Sequence, residues 1–394
     1  MHSSHRTLTP PTARPARAAT SRLLAALTLA LAAASIAPPH ARAQSIVVFG
    51  DSLSDTGNVL ALSSSPQGAL LGFTPRPTAP TYFTGQFTNG PGGNAGLTPT
   101  IYTQGNWVNV LADRLGRPRP IAAGLAADIA PLGTNYAWGG ALASEPSLLP
   151  AAAVQVDLFI AGRTRVPSNN IYTFWLGSND VINAASATGA TPASVAAAGS
   201  AALAAVRSSI QTLVTTLDPT APASILWANL PALDRTPLAL TLPAQLRAAV
   251  AQASADFRTA QAQAIAQLRA ANPALNLVAL DTFSLFSQLL DSPNSFSITN
   301  TTTPILANAD FLQPGPFLPT LNVPANTNPD SYVFWDSLHP TARVHALIGE
   351  AAAAVIPAPS TTGAFVLLTL HAARRRRTTR TSATRTASTH TSLA

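Results

Sequence analysis

Between residues 44 and 357, short apolar runs of β-forming residues alternate with longer Ala- and Leu-rich stretches whose apolar positions recur at helical spacing. Five runs predict strands, at 45–49, 134–137, 171–176, 224–229 and 275–280. Each is nearly continuous in its apolar character, the pattern of a strand covered on both faces rather than one with a wet side. Helices are predicted at 107–115, 151–161, 192–217, 243–271 and 341–355. Thr191-Pro192 opens one of them with a capping residue and a proline at the first helical position. Pro273 and the pair Asp218-Pro219 close two others, because the residue before a proline is pushed out of the helical region. Strand and helix in alternation give β/α units around a parallel sheet. Residues 61–103 and 291–331 break the rhythm. They are rich in Pro, Gly, Asn and Thr without a sustained period, and loops of that length usually carry function. Inserted at the carboxyl ends of the strands, where open α/β sheets bind ligands, they would shape a substrate cleft.

Both ends of the chain carry patterns unlike the middle. Residues 1–43 run from a polar, Arg-bearing start through an apolar centre at 23–37 to Ala41-Arg42-Ala43, the order of a secretory signal peptide. The apolar centre is shorter than the roughly 20 residues a membrane span needs; an N-terminal anchor helix is the alternative reading. At the other end, Pro357-Ala358-Pro359-Ser360 precedes a short apolar segment at 363–370 and the Arg cluster 374–377. A basic tail that lies outside the fold would also explain that segment.

Charge follows the same division. The formal net charge is +7, but five Arg lie before residue 44 and six after 357. Twelve Arg then face all sixteen acidic residues in the middle, a balance of −4, so the globular part offers no basic surface for nucleic acid. Lysine is absent, and with no cysteine there is no disulfide framework, thiol nucleophile or thiolate metal site.

Chemistry gathers where predicted strands end. Gly50-Asp51-Ser52-Leu53 follows the first strand, and a serine on a tight turn there can aim its hydroxyl into a cleft, although such a triplet is also ordinary turn chemistry. Trp335-Asp336-Ser337-Leu338-His339-Pro340 precedes the last helix. An Asp three residues before a His on one turn brings carboxylate and imidazole to the same side, leaving one ring nitrogen for a nucleophile. Pro340 suits the first turn of that helix, and an Asp that merely caps it is the competing reading. Of seven histidines, only His339 and His345 lie between the two terminal segments, and His345 has no acid near it in sequence. Donors for an oxyanion are offered by Asn179, in Leu176-Gly177-Ser178-Asn179-Asp180, and by the glycines of Asn135-Tyr136-Ala137-Trp138-Gly139-Gly140-Ala141.

These four segments, in the order Ser, Gly, Asn, then Asp with His, resemble the four blocks that name the SGNH hydrolases, and Gly50-Asp51-Ser52-Leu53 is similar to the signature of the GDSL esterases. The resemblance runs from about residue 45 to 356. It implies a three-layer α/β/α sandwich around a mostly parallel, flavodoxin-like sheet. Ser52 matches the nucleophile, His339 the base, Asp336 the acid that orients it, and Asn179 an oxyanion donor. Gly140 matches the oxyanion glycine, with Gly139 as the other register. Asp51, Asp55 and Asn58 match residues that support the nucleophile's turn. The implied activity is hydrolysis of carboxylic esters, lipid acyl ester or polysaccharide O-acetyl, through an acyl-serine, with no metal or cofactor required. The aromatic-bearing loops (Tyr82, Phe83, Phe87, Tyr102) admit either substrate. An exported monomer is expected, with residues 44–356 as the hydrolase domain and no nucleic-acid partner. The 357–394 segment resembles a PEP-CTERM sorting signal, which implies transient membrane association. A surface or matrix protein that keeps the fold without turnover is the rival reading.

Overall fold

The computed structural model describes residues 45–356 except 92–95, 125–132, 146–147, 162, 164–165, 168–169, 218–222 and 308–315. The expected signal segment and the expected sorting tail lie outside the described residues.

Four parallel strands form the sheet: β1 (Ile46–Gly50), β2 (Ile171–Trp175), β3 (Ser224–Ala228) and β4 (Asn276–Leu280), side by side in chain order. β1 and β2 are buried at every position, as their unbroken apolar character requires. Successive side chains point to opposite faces, so the strands feed two separate cores. Val47, Phe49, Tyr172, Phe174, Ile225, Trp227 and Leu277 lie in one. That face is covered by α4 (Ala152–Ile160), α5 (Ser178–Ser186), α6 (Pro192–Thr216) and α7 (Ala244–Ala271). Ile46, Val48, Ile171, Trp175, Leu226 and Leu280 lie in the other, against α3 (Trp107–Arg114), α8 (Thr282–Asp291) and α9 (Ala342–Val355). The result is a three-layer α/β/α sandwich. Two short helices, α1 (Asn58–Ser63) and α2 (Pro66–Leu70), precede α3, and a small antiparallel pair, β5 (Leu306–Ala307) with β6 (Thr320–Leu321), lies in the late irregular stretch.

The five predicted helices form within a residue of their expected bounds. α6 begins as its sequence suggests: the Thr191 hydroxyl accepts from the Ser194 N–H (3.1 Å), the Ser194 hydroxyl accepts from the Thr191 N–H (3.0 Å), and Pro192 follows the cap. The strand expected at 134–137 is reduced to a parallel bridge between Asn135 and Val48. Its backbone still bonds the outer edge of β1, with Val48 donating to Thr134 (2.9 Å) and Tyr136 donating to Val48 (2.8 Å). Ladder growth stops because Asn135 turns its side chain back on the chain, accepting from the Ala137 N–H and donating to the Ser54 carbonyl. Counted as an edge, this segment completes the flavodoxin-like order 2-1-3-4-5. α5 and α8 were not expected from the sequence pattern. Both start directly at the carboxyl end of a strand, α5 in a segment that reads as a turn.

Candidate active site

The carboxyl ends of β1 and β2 and the loop before α9 meet at one edge of the sheet. Gly50 ends β1, and the chain turns so tightly there that a Cβ on Gly50 would stand 2.8 Å from the Ser54 Cβ. Close approach, rather than an unusual backbone angle, is what demands glycine. Asp51 closes the turn: its carbonyl accepts from the Ser54 and Asp55 N–H groups (3.0 Å each) and its Oδ1 from Leu53 (3.0 Å). The turn leaves Ser52 projecting from the end of the strand.

The loop 335–340 brings a carboxylate and an imidazole to that hydroxyl. The Trp335 N–H donates to the His339 carbonyl (2.8 Å), and Phe334 bridges Pro340 in antiparallel fashion. Pro340 therefore precedes the helix rather than opening it; Thr341 is the N-cap and Ala342 the first helical residue of α9. Within this loop the Asp336 carboxylate accepts from the backbone N–H of Leu338 (2.9 Å) and His339 (2.8 Å), and from His339 Nδ1 at 2.8 Å to Oδ2 and 2.9 Å to Oδ1. His339 Nε2 lies 2.8 Å from Ser52 Oγ. Burial alone would push the Asp336 carboxyl up, but the positive charge available on His339 and these N–H donors hold it below the usual carboxylate range. An anion at Asp336 fixes the imidazole tautomer with a proton on Nδ1 and a lone pair on Nε2 facing the hydroxyl.

The Ser52 N–H, the Gly140 N–H and the Asn179 amide each have capacity for a further acceptor. No hydrogen bond to the Ser52 N–H or the Gly140 N–H is present among the described residues. Gly139, the other register, is committed: its N–H donates to Asp55 Oδ2 (3.0 Å), and a Cβ there would stand 2.1 Å from the Phe87 ring. Gly140 adopts φ +84°, a left-handed conformation that glycine takes without strain. Asn179 Nδ2 donates one proton to the Ala141 carbonyl (2.9 Å), leaving the second for a ligand. Asp180 fixes this loop to the first turn of α5 by accepting from the Ala143 N–H (2.8 Å), the Ser144 N–H (3.1 Å) and the Ser144 hydroxyl (2.6 Å). This latch and the Asn179–Ala141 hydrogen bond hold the Asn179 amide and the loop after Gly140 in one arrangement. If Asn179 is an oxyanion donor, Asn179→Ala lowers kcat by about a hundredfold or more with KM little changed. Steady-state kinetics on one ester decides it: a change in KM alone would reassign Asn179 to ground-state binding.

Asp55 and Asn58 hold the turn that carries Ser52 against the outer edge of β1. Asp55 accepts from the N–H groups of Gly57, Asn58, Val59 and Gly139, while Asn58 Nδ2 donates to the Asn135 and Ala137 carbonyls. Burial pushes the Asp55 carboxyl up to about 6 against the pull of its four donors, so it is ionised at neutral pH. Asp51 has a single N–H donor and an Oδ2 without a hydrogen bond among the described residues. Burial raises its carboxyl to about 7.

His345 lies apart from this chemistry. Its Nδ1 accepts from the Trp107 N–H (3.3 Å), and burial lowers it to about 3, so it is a neutral core histidine. Among the described residues, the cavity at Ser52, about 20 Å³, is lined by Ser52, Asn179 and His339 with Leu233, Phe286 and Leu338, and the described parts of 61–103 and 291–331 add nothing to that lining. Of the aromatic loop residues, Tyr82 and Phe87 are buried, and Tyr102 lies under the Arg343 guanidinium at 4.8 Å. Phe83 lines a separate groove with Pro80 and Pro91. The residue that sequence reasoning missed is Tyr82, whose hydroxyl donates to Asp336 Oδ2 at 2.8 Å. Among the described residues, no cluster of three or more His, Asp or Glu could hold a metal ion.

No curated protein sequence matches the chain. Among solved structures, the chain is similar to phospholipase A1 from Streptomyces albidoflavus NA297, at 13% identity and a TM-score of 0.34, covering 78% of this chain and 99% of that one. It is also similar to an aryl esterase of M. smegmatis, at 16% identity and a TM-score of 0.27, covering 60% of this chain and 84% of that one. Likenesses so remote leave the assignment to the family model, that of the GDSL-like lipases and acylhydrolases, which matches residues 46–352. With the match spanning the sheet, the helices on both its faces and all four site segments, the chain belongs to the GDSL-like lipase/acylhydrolase family and is a carboxylic ester hydrolase.

Proposed function

We propose that the protein is an exported serine hydrolase that cleaves carboxylic esters through an acyl-serine on Ser52. The observation that carries this reading is the continuous hydrogen-bonded chain from Ser52 Oγ through the His339 imidazole to the Asp336 carboxylate, each link at 2.8 Å. His339 Nε2 takes the Ser52 proton as Oγ attacks the ester carbon, and Asp336 stabilises the imidazolium that forms. The N–H groups of Ser52 and Gly140 and the free amide proton of Asn179 receive the oxyanion. His339 then gives its proton to the departing alcohol as the C–O bond breaks. Water, deprotonated by the same base, attacks the acyl-serine and releases the acid and the serine hydroxyl.

The substrate is a lipid acyl ester or a polysaccharide O-acetyl group, and the cavity supports the shorter acyl. About 20 Å³ beside Ser52 is room for one or two water-sized groups, since a single water needs roughly 10–15 Å³. Acetyl fits there, whereas a palmitoyl chain would have to leave along the surface. Turnover of p-nitrophenyl esters by the full chain is expected to fall from acetate towards palmitate, with acetate released from acetylated xylan. A rise towards palmitate would favour the lipid reading, and no turnover of any ester would favour a non-catalytic surface protein.

Export rests on the Arg-bearing start, the apolar centre at 23–37 and Ala41-Arg42-Ala43. The segment 357–377 is read as a sorting signal removed after export. Mass spectrometry of the protein from its host tests both, with ends at Gln44 and near Pro359 expected; an end at Ala394 would remove the sorting reading.

A further inference from the structure

The segment from Tyr82 to Asn89, inside the first irregular stretch, wraps the loop that carries acid and base. Tyr82 donates its hydroxyl to Asp336 Oδ2 at 2.8 Å, and the Thr88 hydroxyl donates to the Pro340 carbonyl at 3.0 Å. Asn89 Oδ1 accepts from the Ala342 N–H at 2.7 Å, at the start of α9. The Phe87 ring lies 5.0 Å from the His339 imidazole. A turn holds the segment in shape, with Phe83 N–H donating to Thr88 and Gln86 N–H to Phe83 (2.8 Å each). Gln86 Oε1 ties it to the start of α3 by accepting from the Asn106 N–H at 2.7 Å. Residues 82, 87, 88 and 89 thus touch Asp336, His339, Pro340 and Ala342 in the same order.

We infer that this segment is a clamp on the acid–base pair and that Tyr82, through its hydroxyl on Asp336 Oδ2, is a positioning residue for ester hydrolysis. The inference rests on the reading of Ser52, His339 and Asp336 as the reacting set. Asp336 Oδ2 receives two protons, from Tyr82 and from His339 Nδ1, and the first is permanent: burial, together with the Asp336 charge, raises the Tyr82 phenol well above its usual range. A neutral donor on a buried carboxylate restricts its rotation and draws charge away from the oxygen that holds the imidazole. Without it, the carboxylate would hold the imidazolium more strongly and the ring less uniquely. The base would then become protonated at higher pH. The other titratable groups facing the pair are Asp51, on the turn after β1, and His345, on α9. Both groups remain in place in a Tyr82→Phe variant.

Tyr82→Phe in the full chain keeps the ring against Trp335 and Phe317 and deletes only the donor. Its kcat is expected to fall about tenfold, with KM within about twofold. The acid limb of its kcat/KM profile is expected to move to higher pH by about half a unit or more, with the circular dichroism spectrum retained. Phe317→Leu is the packing control: it removes a ring contact to Tyr82, leaves the hydroxyl in place, and should leave the acid limb where it is. An unshifted limb in Tyr82→Phe, or an equal shift in Phe317→Leu, would overturn the positioning role while leaving Ser52 untouched. Parent-like turnover by Ser52→Ala would instead remove the reading beneath it.

Discussion

Ser52→Ala is expected to lose ester hydrolysis by a factor on the order of 10⁵ to 10⁶, with its fold intact. The Ser52 hydroxyl makes one hydrogen bond among the described residues, to His339 Nε2, so its removal costs about 1 kcal/mol of stability at most. Asp51, not Ser52, holds the turn, through its carbonyl and Oδ1. Deleting the hydroxyl therefore removes the attacking atom and almost nothing else. What survives is the modest acceleration that oxyanion donors give to direct attack by water. Steady-state turnover alongside a thermal melt separates the two quantities. Parent-like turnover in a folded variant would mean that another group attacks the ester.

His339→Ala should lose as much activity as Ser52→Ala, and the double variant no more than either, because members of a catalytic set act as a unit. Stability separates the two single variants. Removing the imidazole takes a donor from the buried Asp336 carboxylate, which keeps, among the described residues, the Tyr82 hydroxyl and the N–H groups of residues 338 and 339. A buried anion short of one donor costs about 1–3 kcal/mol, so His339→Ala should melt below both the parent and Ser52→Ala. Additive losses in the double variant would show that Ser52 and His339 act in separate steps.

The parts of this molecule that were legible in the sequence are those whose cause is local. β1, β2 and β3 are apolar at nearly every position because both faces are covered, while the edge strand β4 is apolar though Ala279 is exposed, and α6 carries its own cap in Thr191, Pro192 and Ser194. Ser52, Asn179, Asp336 and His339 were legible because each lies in a short segment of distinctive composition at the end of a predicted strand or the start of a predicted helix. The choice between Gly139 and Gly140 could not be made from two adjacent glycines. What bears on it is the Asp55 carboxylate, 84 residues away, which takes the Gly139 N–H. Thr134 to Ala137 looked like a strand because an apolar run does not reveal that Asn135 will bond its own backbone. α5 was hidden by its first turn, Ser178-Asn179-Asp180, whose polar residues serve the site rather than the helix. Tyr82 lies 254 residues from Asp336 in sequence, and nothing in its own neighbourhood distinguishes a tyrosine that donates to a buried carboxylate from one that lines a cleft. Its stretch was expected to shape the substrate site, yet Tyr82 and Phe87 from that stretch lie buried against the acid and the base.

The most direct test is to react the full chain with a fluorophosphonate and map the adduct by peptide mass spectrometry. A serine made nucleophilic by a neighbouring base attacks phosphorus and expels fluoride, so the label records the activated hydroxyl itself. One adduct, on the peptide that carries Ser52, absent from Ser52→Ala and strongly slowed in His339→Ala, is the expected result. Labelling at a different residue, or none from a protein that turns over esters, would contradict Ser52 as the nucleophile.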